Sequence, residues 1–389
     1  MIHSYKNRSP KLLILYASYG DGHLQAARAI RDALADRGVD RTLLIDLLAE
    51  AHPFINEMTK RVYMKSYSLL PGLYGWVYDR TKPMKHDSLF ASWLHSFGKD
   101  SLRRLLQAEL PDAVIHTFPI LAMPALKQQI GLQIPTGTVI TDFDLHQRWV
   151  HPEIDRYYVP TEDMQRELIL LGIPERRICI SGIPIKRGFR SLTIDPALRS
   201  RYGLPAGRPV VLLMAGAQGT LPDMTELLSK LLQQQSFTVV VVCGRNEALS
   251  CLLTQMFSGF IAARQLHVLG YVEPMHELMA LASCIITKPG GVTLAEALAS
   301  GLPIIAYRPV PGQERNNALY LENKGAAAIA YTPEQLSHKI IELIHDSNRI
   351  RSSKTAIMKL QRKNAADVVA LDFCSRLHIM EGVSATANR

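Results

Sequence analysis

Two α/β domains, each built on a parallel sheet of Rossmann type and facing a cleft, are what this sequence predicts. Three observations carry the expectation. Short apolar runs alternate with amphipathic helical patterns along most of the chain. Two of these runs, at 12–17 and 210–214, end in glycine-bearing loops that lead into a helix. A Pro- and Gly-bearing polar stretch between 181 and 207 separates the two series, as a linker would. At 389 residues each domain can bury its own core. The expected divisions are 1–190, 191–365 and a C-terminal helix and tail at 366–389, the helix packing back towards the first domain.

In the first domain, residues 12–17 read as a buried strand, Ser-Tyr-Gly-Asp-Gly-His at 18–23 as a turn, and Leu24, Ala27, Ile30 and Leu34 as the inner face of a helix that Gly38 closes. The turn matches a dinucleotide fingerprint only loosely, since a third glycine is missing and Asp46 after the next strand is weak support. His23 stands at the helix opening, above the carboxyl end of the strand, where α/β proteins bind ligands. A lone histidine there can be a capping residue. Glycines before it leave room for a substrate, which favours a general base.

Residues 54–104 break the alternation. Phe54, Tyr63, Tyr67, Tyr74, Trp76, Tyr78, Phe90, Trp93 and Phe97 are interleaved with cations, and residues 51–110 hold nine Lys/Arg against five Asp/Glu. Aromatics mixed with cations suit a segment seated among lipid headgroups, with Pro71-Gly72 at a membrane-facing tip. Core packing of a helical insertion is the competing reading. Alternation then resumes, with strands at 112–117, 136–141 and 155–159 and helices at 121–129 and 162–171. After the 136–141 strand come Asp142 and Asp144, spaced like a metal-binding pair but a spacing common by chance, then His146 and Trp149 as expected cleft lining.

The second domain opens with the 210–214 strand and the loop carrying Gly216 and Gly219, and adds strands at 238–242 and 267–270. Its centre is 287–317. A strand at 284–287 ends in Lys288, Pro289, Gly290 and Gly291, and a helix starts at once with Leu294, Ala297 and Leu298 on one face. Paired glycines there let a phosphate approach the unpaired N–H groups and positive dipole of a helix N-terminus. Glu296 is placed to reach a neighbouring sugar hydroxyl. The next strand, 302–307, runs into a proline-stiffened loop expected to present Gln313, Glu314 and Asn317 to a second sugar. An ordinary βαβ unit with a glycine pair at its turn is the competing reading; the polar groups at these offsets favour a nucleotide-sugar site. Residues 350–377 read as one last helix.

The composition excludes several classes. No apolar run approaches the roughly 18 residues of a membrane span, and the short run at 12–15 reads as a strand, not a secretion signal. Five scattered cysteines, Cys179, Cys243, Cys251, Cys284 and Cys374, with no C-x-x-C pair, read as reduced thiols of a cytosolic protein. A formal charge of +9 calls for an acidic partner; with no nucleic-acid motif in view, an anionic membrane surface fits better.

Five stretches together, 18–23, 141–146, 239–246, 287–296 and 308–314, resemble the bacterial processive diacylglycerol glucosyltransferases and, more widely, the plant monogalactosyldiacylglycerol synthases and the lipid-linked N-acetylglucosaminyltransferase of peptidoglycan synthesis. The resemblance implies a GT-B fold, a UDP-sugar donor held mainly by the second domain, inversion at the anomeric carbon, and neither metal nor cofactor. It implies His23 as the base, aided by Asp21 or Asp142. Donor-binding residues are then Gly22, Gly216, Gly219, Arg245, Tyr271, Val272, Lys288, Gly290, Gly291, Thr293, Glu296, Gln313, Glu314 and Asn317, with Gly290 and Gly291 at the phosphate and Glu296 at the ribose. Diacylglycerol is the implied acceptor, glucose the favoured hexose, and the cytoplasmic face of the membrane the site of peripheral attachment. A lipid-linked N-acetylglucosaminyltransferase, a sugar-nucleotide 2-epimerase and a non-catalytic UDP-sugar sensor that binds a protein partner are the rival readings.

Overall fold

The structure, a computed structural model, describes residues 9–18, 20–51, 70–85, 88, 98–119, 122–190, 197–216, 221 and 223–386. Gly219 and most of the 54–104 aromatics, including Phe54, Tyr63, Tyr67, Phe90, Trp93 and Phe97, lie outside them. The chain forms two units, residues 1–186 with 364–389, and residues 187–363.

The first unit holds six parallel strands: β1 (Lys11–Tyr16), β2 (Arg41–Asp46), β3 (Ala113–His116), β4 (Thr136–Val139), β5 (Arg156–Val159) and β6 (Ile178–Ile180). Their spatial order is β2-β1-β3-β4-β5-β6. The apolar run of β1 is continuous because both faces of the sheet are covered. Leu12 and Ile14 pack with Ala27, Ile30 and Leu34 of the Asp21–Ala35 helix, whereas Leu13 and Leu15 pack with Leu102, Leu106 and Met123 on the opposite face.

The C-terminal helix, Ala365–Thr386, belongs to this first unit and closes its core with Val369, Ala370 and Phe373. Gly137 makes that closeness feasible, since a Cβ there would stand 3.0 Å from the Phe373 ring. Asp372 fixes the helix further, accepting hydrogen bonds from Arg156 Nη2 at 2.6 Å and Tyr158 Oη at 2.9 Å. The single helix expected over 350–377 is two, Ser347–Leu360 and Ala365–Thr386. Between them Gln361 is extended, with ψ of 128°, and its amide donates to the carbonyls of Leu298 and Ala299, both at 2.8 Å. Both carbonyls lie in the last turn of the Gly291–Ala299 helix, where carbonyls run out of partners further along the helix.

The second unit repeats the plan with β7 (Val210–Met214), β8 (Thr238–Val242), β9 (Leu266–Leu269), β10 (Cys284–Thr287), β11 (Ile304–Tyr307) and β12 (Ala327–Ala330), all parallel and ordered β12-β11-β10-β7-β8-β9. Each sheet therefore has a place where strand order reverses: between β1 and β3 in the first, between β7 and β10 in the second. Loops diverge there at the carboxyl ends of the strands and leave a crevice for a ligand. Among the described residues no helix is long and apolar enough to cross a membrane.

Candidate active site

At the first switch point, β1 and β3 lie side by side and the chain leaves them in opposite directions. His23, on the first turn of the helix after β1, reaches across to the loop after β3. Its Nδ1 lies 2.7 Å from the Thr117 carbonyl oxygen and 3.1 Å from Thr141 Oγ1. A carbonyl can only accept, so Nδ1 carries the hydrogen and Nε2 keeps its lone pair. Thr117 Oγ1 in turn donates to the His23 carbonyl at 3.1 Å. The ring packs edge-on against Phe118 at 4.9 Å and is tilted towards Trp149 at 6.4 Å. Burial lowers the His23 pKa, with buried Asp142 and the Thr117 bond opposing that shift. The imidazole is thus neutral at neutral pH, with one nitrogen spent on orientation.

The turn before His23 is anchored by Asp46, which accepts from Ser18 N at 3.1 Å and from Ser18 Oγ. Asp46 thereby acts on the glycine loop itself, a contact between residues 28 apart that the sequence does not show. Gly22 sits beside His23 in the first turn.

His146 and Trp149, expected to line a cleft, are both buried. Trp149 packs in a cluster with Ile140, Leu145 and Tyr157. His146 Nδ1 accepts from Arg148 N at 3.1 Å, and burial, with Arg148 and Lys82 nearby, pushes its pKa down to about 2. Asp144 is committed to Tyr78 Oη at 3.2 Å and Lys82 Nζ at 2.5 Å. Pro71, expected at a membrane-facing tip, stands at the first turn of the Pro71–Thr81 helix, where its fixed φ and missing N–H cost nothing. Of the three described aromatics there, Tyr78 is buried and Trp76 exposed.

At the second switch point β10 delivers Lys288, Pro289 and Gly290 to the N-terminus of the Gly291–Ala299 helix. Gly290 is the N-cap, and a Cβ there would meet nothing within 4 Å, so the approach to the helix end is open. Leu294 N makes the first bond back, to Gly290 O at 3.0 Å, leaving the N–H groups of residues 291–293 directed out of the helix. Thr293 and Glu296, three residues apart, share one side of the helix and are half-buried, whereas Leu294, Ala297 and Leu298 are buried.

Gln313 and Glu314 open a helix, Gln313–Asn323, where a loop was expected. Gly312 makes the corner, with φ of 95° and ψ of −136°, a conformation open to glycine alone. Glu314 Oε2 accepts from Val310 N at 3.3 Å. Burial lowers the pKa of Lys288 and Glu314 opposes that shift, so the two side chains act on each other across the adjacent loops. Asn317 is fully buried and donates from Nδ2 to the Pro289 carbonyl at 3.3 Å. Its place is behind the glycine turn, holding it, and not on an exposed loop.

On the other side of β7, Arg245 follows β8 and Tyr271 follows β9, and the guanidinium lies 5.0 Å from the centre of the Tyr271 ring, which is 50% exposed. Val272 is half-buried beside it, and Gly216, with φ of 77°, makes the turn after β7. The second unit therefore brings together a helix N-terminus, a lysine and carboxylates on one side of its switch point, and a cation-backed aromatic on the other.

Solved structures share this architecture. The UDP-GlcNAc 2-epimerase of Neisseria meningitidis bound to UDP-GlcNAc aligns with a TM-score of 0.58 at 16% identity, covering 94% of this chain and 100% of that one. Anabaena HepE in complex with UDP-glucose aligns with a TM-score of 0.52 at 15% identity, covering 97% and 100%. These likenesses show the fold, two Rossmann-like domains of the GT-B kind. Residues 23–185 match the monogalactosyldiacylglycerol synthase family and residues 210–370 the glycosyltransferase family 28 C-terminal domain. The processive diacylglycerol beta-glucosyltransferase of Bacillus mycoides is 41% identical over 360 residues, 92% of each chain. That of Bacillus cereus strain AH187 is 40% identical over 372 residues, 96% of this chain and 95% of its own. This chain belongs to the family of processive diacylglycerol beta-glucosyltransferases.

Proposed function

We propose that the protein moves glucose from UDP-glucose to diacylglycerol, with inversion at the anomeric carbon, making membrane glycolipids. The observation that carries the chemistry is His23 at the first switch point, its Nδ1 bound to the Thr117 carbonyl. Nε2 takes the proton from the acceptor hydroxyl as that oxygen bonds to the anomeric carbon. The bond from that carbon to the diphosphate breaks and its electron pair leaves with UDP. Asp142, whose charge favours protonated His23, stabilises the imidazolium that forms.

The second unit holds the donor. Its glycine turn and the N–H groups of residues 291–293 receive the diphosphate, Lys288 adds positive charge, Glu296 binds the ribose, and Gln313 and Glu314 bind the sugar. Asn317 supports the turn from behind. Gly216, Gly219, Arg245, Tyr271, Val272 and Thr293 complete the donor set. Fixed dipoles and a lysine neutralise the departing charge in this scheme, so activity is expected to survive EDTA. The acceptor resides in a bilayer, and we assign attachment to the cytoplasmic leaflet to the exposed side of the Pro71–Thr81 helix. The deciding assay incubates the protein with diacylglycerol vesicles and each UDP-sugar, with and without EDTA, and weighs the products. Glucosyl-diacylglycerol from UDP-glucose supports the reading, and epimerised nucleotide without glycolipid overturns it.

A further inference from the structure

The Pro71–Thr81 helix has two unlike sides. Leu73, Trp76 and Val77, spaced as one helical stripe, are 54%, 61% and 45% exposed, and Leu70 just before the helix is 56% exposed. Arg80 lies over the Trp76 ring at 6.0 Å, and exposed Lys85 follows in the chain soon after the helix ends. An apolar stripe edged by cations is complementary to an anionic bilayer.

The opposite side is fastened, contact by contact, to the loop after β4. Tyr78 Oη donates to Asp144 Oδ2 at 3.2 Å and Lys82 Nζ pairs with Asp144 Oδ1 at 2.5 Å. Thr81 Oγ1 lies 3.3 Å from His146 Nε2, and the Tyr78 ring stands edge-on to His146 at 5.0 Å. Gln147 N donates to the Lys82 carbonyl at 3.1 Å. The same short loop carries Thr141, bonded to His23 Nδ1, and Trp149, whose ring lies tilted 6.4 Å from that of His23. From the apolar stripe to the imidazole there is therefore an unbroken series of packed and hydrogen-bonded groups. Asp144 is where two of these side-chain anchors meet, because one carboxylate receives both the tyrosine and the lysine.

We propose that Asp144 is a positioning residue that ties the lipid-facing helix to the His23 loop, so that seating of Leu73, Trp76 and Val77 on an anionic bilayer fixes His23 for proton transfer. Asp144 acts on His23 through the loop that also carries Thr141 and Trp149. The proposal rests on His23 being the base and on the helix being the docking face.

The test compares Asp144→Asn and Asp144→Glu with the parent. Turnover is measured on diacylglycerol in phosphatidylglycerol vesicles and on a short-chain diacylglycerol dissolved as monomers, and vesicle co-sedimentation and UDP titration are run on the same preparations. Asparagine can still accept from Tyr78 but cannot pair with Lys82. Asp144→Asn should bind vesicles and UDP as the parent does, lose about tenfold in kcat on vesicles with KM for UDP-glucose unchanged, and match the parent on the dissolved acceptor. Asp144→Glu should recover part of the vesicle rate. A merely structural carboxylate would depress both acceptors equally and lower the melting temperature, which overturns the proposal, as does parental turnover on vesicles. Loss of vesicle binding by Asp144→Asn also overturns it, because the residue would then build the docking face. The two underlying readings fail separately: a fully active His23→Ala removes the base, and undiminished vesicle binding by Trp76→Ser removes the docking face.

Discussion

His23 Nδ1 and the Thr117 carbonyl oxygen, 2.7 Å apart, join the two strands at which the first sheet reverses its order. The pairing fixes which nitrogen is basic, and it makes the pH behaviour of the reaction calculable in sign. His23→Ala should lower turnover about 100-fold or more while UDP affinity stays within about twofold. Because burial lowers the His23 pKa, the acid limb of kcat should fall below the ordinary histidine value of about 6.5. Asp142 opposes that shift, so Asp142→Asn should move the limb to still lower pH and also reduce kcat. Turnover profiles from pH 4 to 9 check both; an upward shift in Asp142→Asn would place the titration on another group.

Glu296 and Asn317 should separate under substitution. Glu296→Ala removes charge-assisted bonds to ribose hydroxyls and should weaken UDP binding by about 1.5–3 kcal/mol, with the melting temperature of the free protein little changed. Asn317→Ala leaves the Pro289 carbonyl without its donor and should cost about 1–3 kcal/mol of stability. Calorimetric titration with UDP and thermal unfolding, run on both variants, distinguish the two. Unchanged UDP affinity in Glu296→Ala would move the ribose elsewhere.

What the sequence showed and what it hid divides along a physical line. Apolar runs such as 12–15 and the Gly290-Gly291 junction were legible because strand burial and helix starts leave local patterns. Residue type could not reveal side-chain direction: Asn317 looked like a sugar contact and faces Pro289, and His146 looked like cleft lining and is buried. Long-range pairings left no trace either. Asp144 meets Lys82 across 62 residues and Tyr78 across 66, so its carboxylate read as half of a chance D-x-D. Gln361 interrupts the last helical pattern because its amide caps another helix, a reason that lies more than 60 residues away.

Asp372 should govern how firmly the C-terminal helix holds the first unit together. Burial alone would raise its pKa, but hydrogen bonds from Arg156 and Tyr158 and the charges of Arg156 and Arg376 outweigh that and hold it below the usual value. A depressed carboxylate contributes stability above its unfolded pKa of about 3.9, and the contribution disappears as pH falls through the lower folded value. Asp372→Asn should therefore be less stable than the parent at pH 7, by about 1–2 kcal/mol for a partly exposed group. The gap should narrow below about pH 4. Urea unfolding at pH 7, 5 and 3.5 reads this directly, and a gap that does not change with pH would mean that packing, not charge, sets the loss.

The docking face should respond to two forces that conditions can separate. Trp76 and Leu73 supply apolar insertion, which salt leaves intact, whereas Arg80 and Lys85 supply attraction of about 1 kcal/mol each near an anionic leaflet. Screening shortens the reach of that attraction from about 10 Å at 0.1 M salt to about 3 Å at 1 M. Binding to phosphatidylglycerol-rich vesicles should accordingly be strong at low salt and partly lost at high salt, with the remainder removed by Trp76→Ser. Charge reversal belongs at Lys85 and not at Lys82, because Lys82 is bonded to Asp144 and its loss would disturb the loop as well as the surface. Lys85→Glu should thus abolish most of the salt dependence without touching turnover on a dissolved short-chain acceptor. Vesicle co-sedimentation in phosphatidylglycerol and in neutral phosphatidylcholine supplies the comparison. Equal binding to both, or full binding by the Trp76→Ser and Lys85→Glu double variant, would mean that the lipid is met by another surface of the protein.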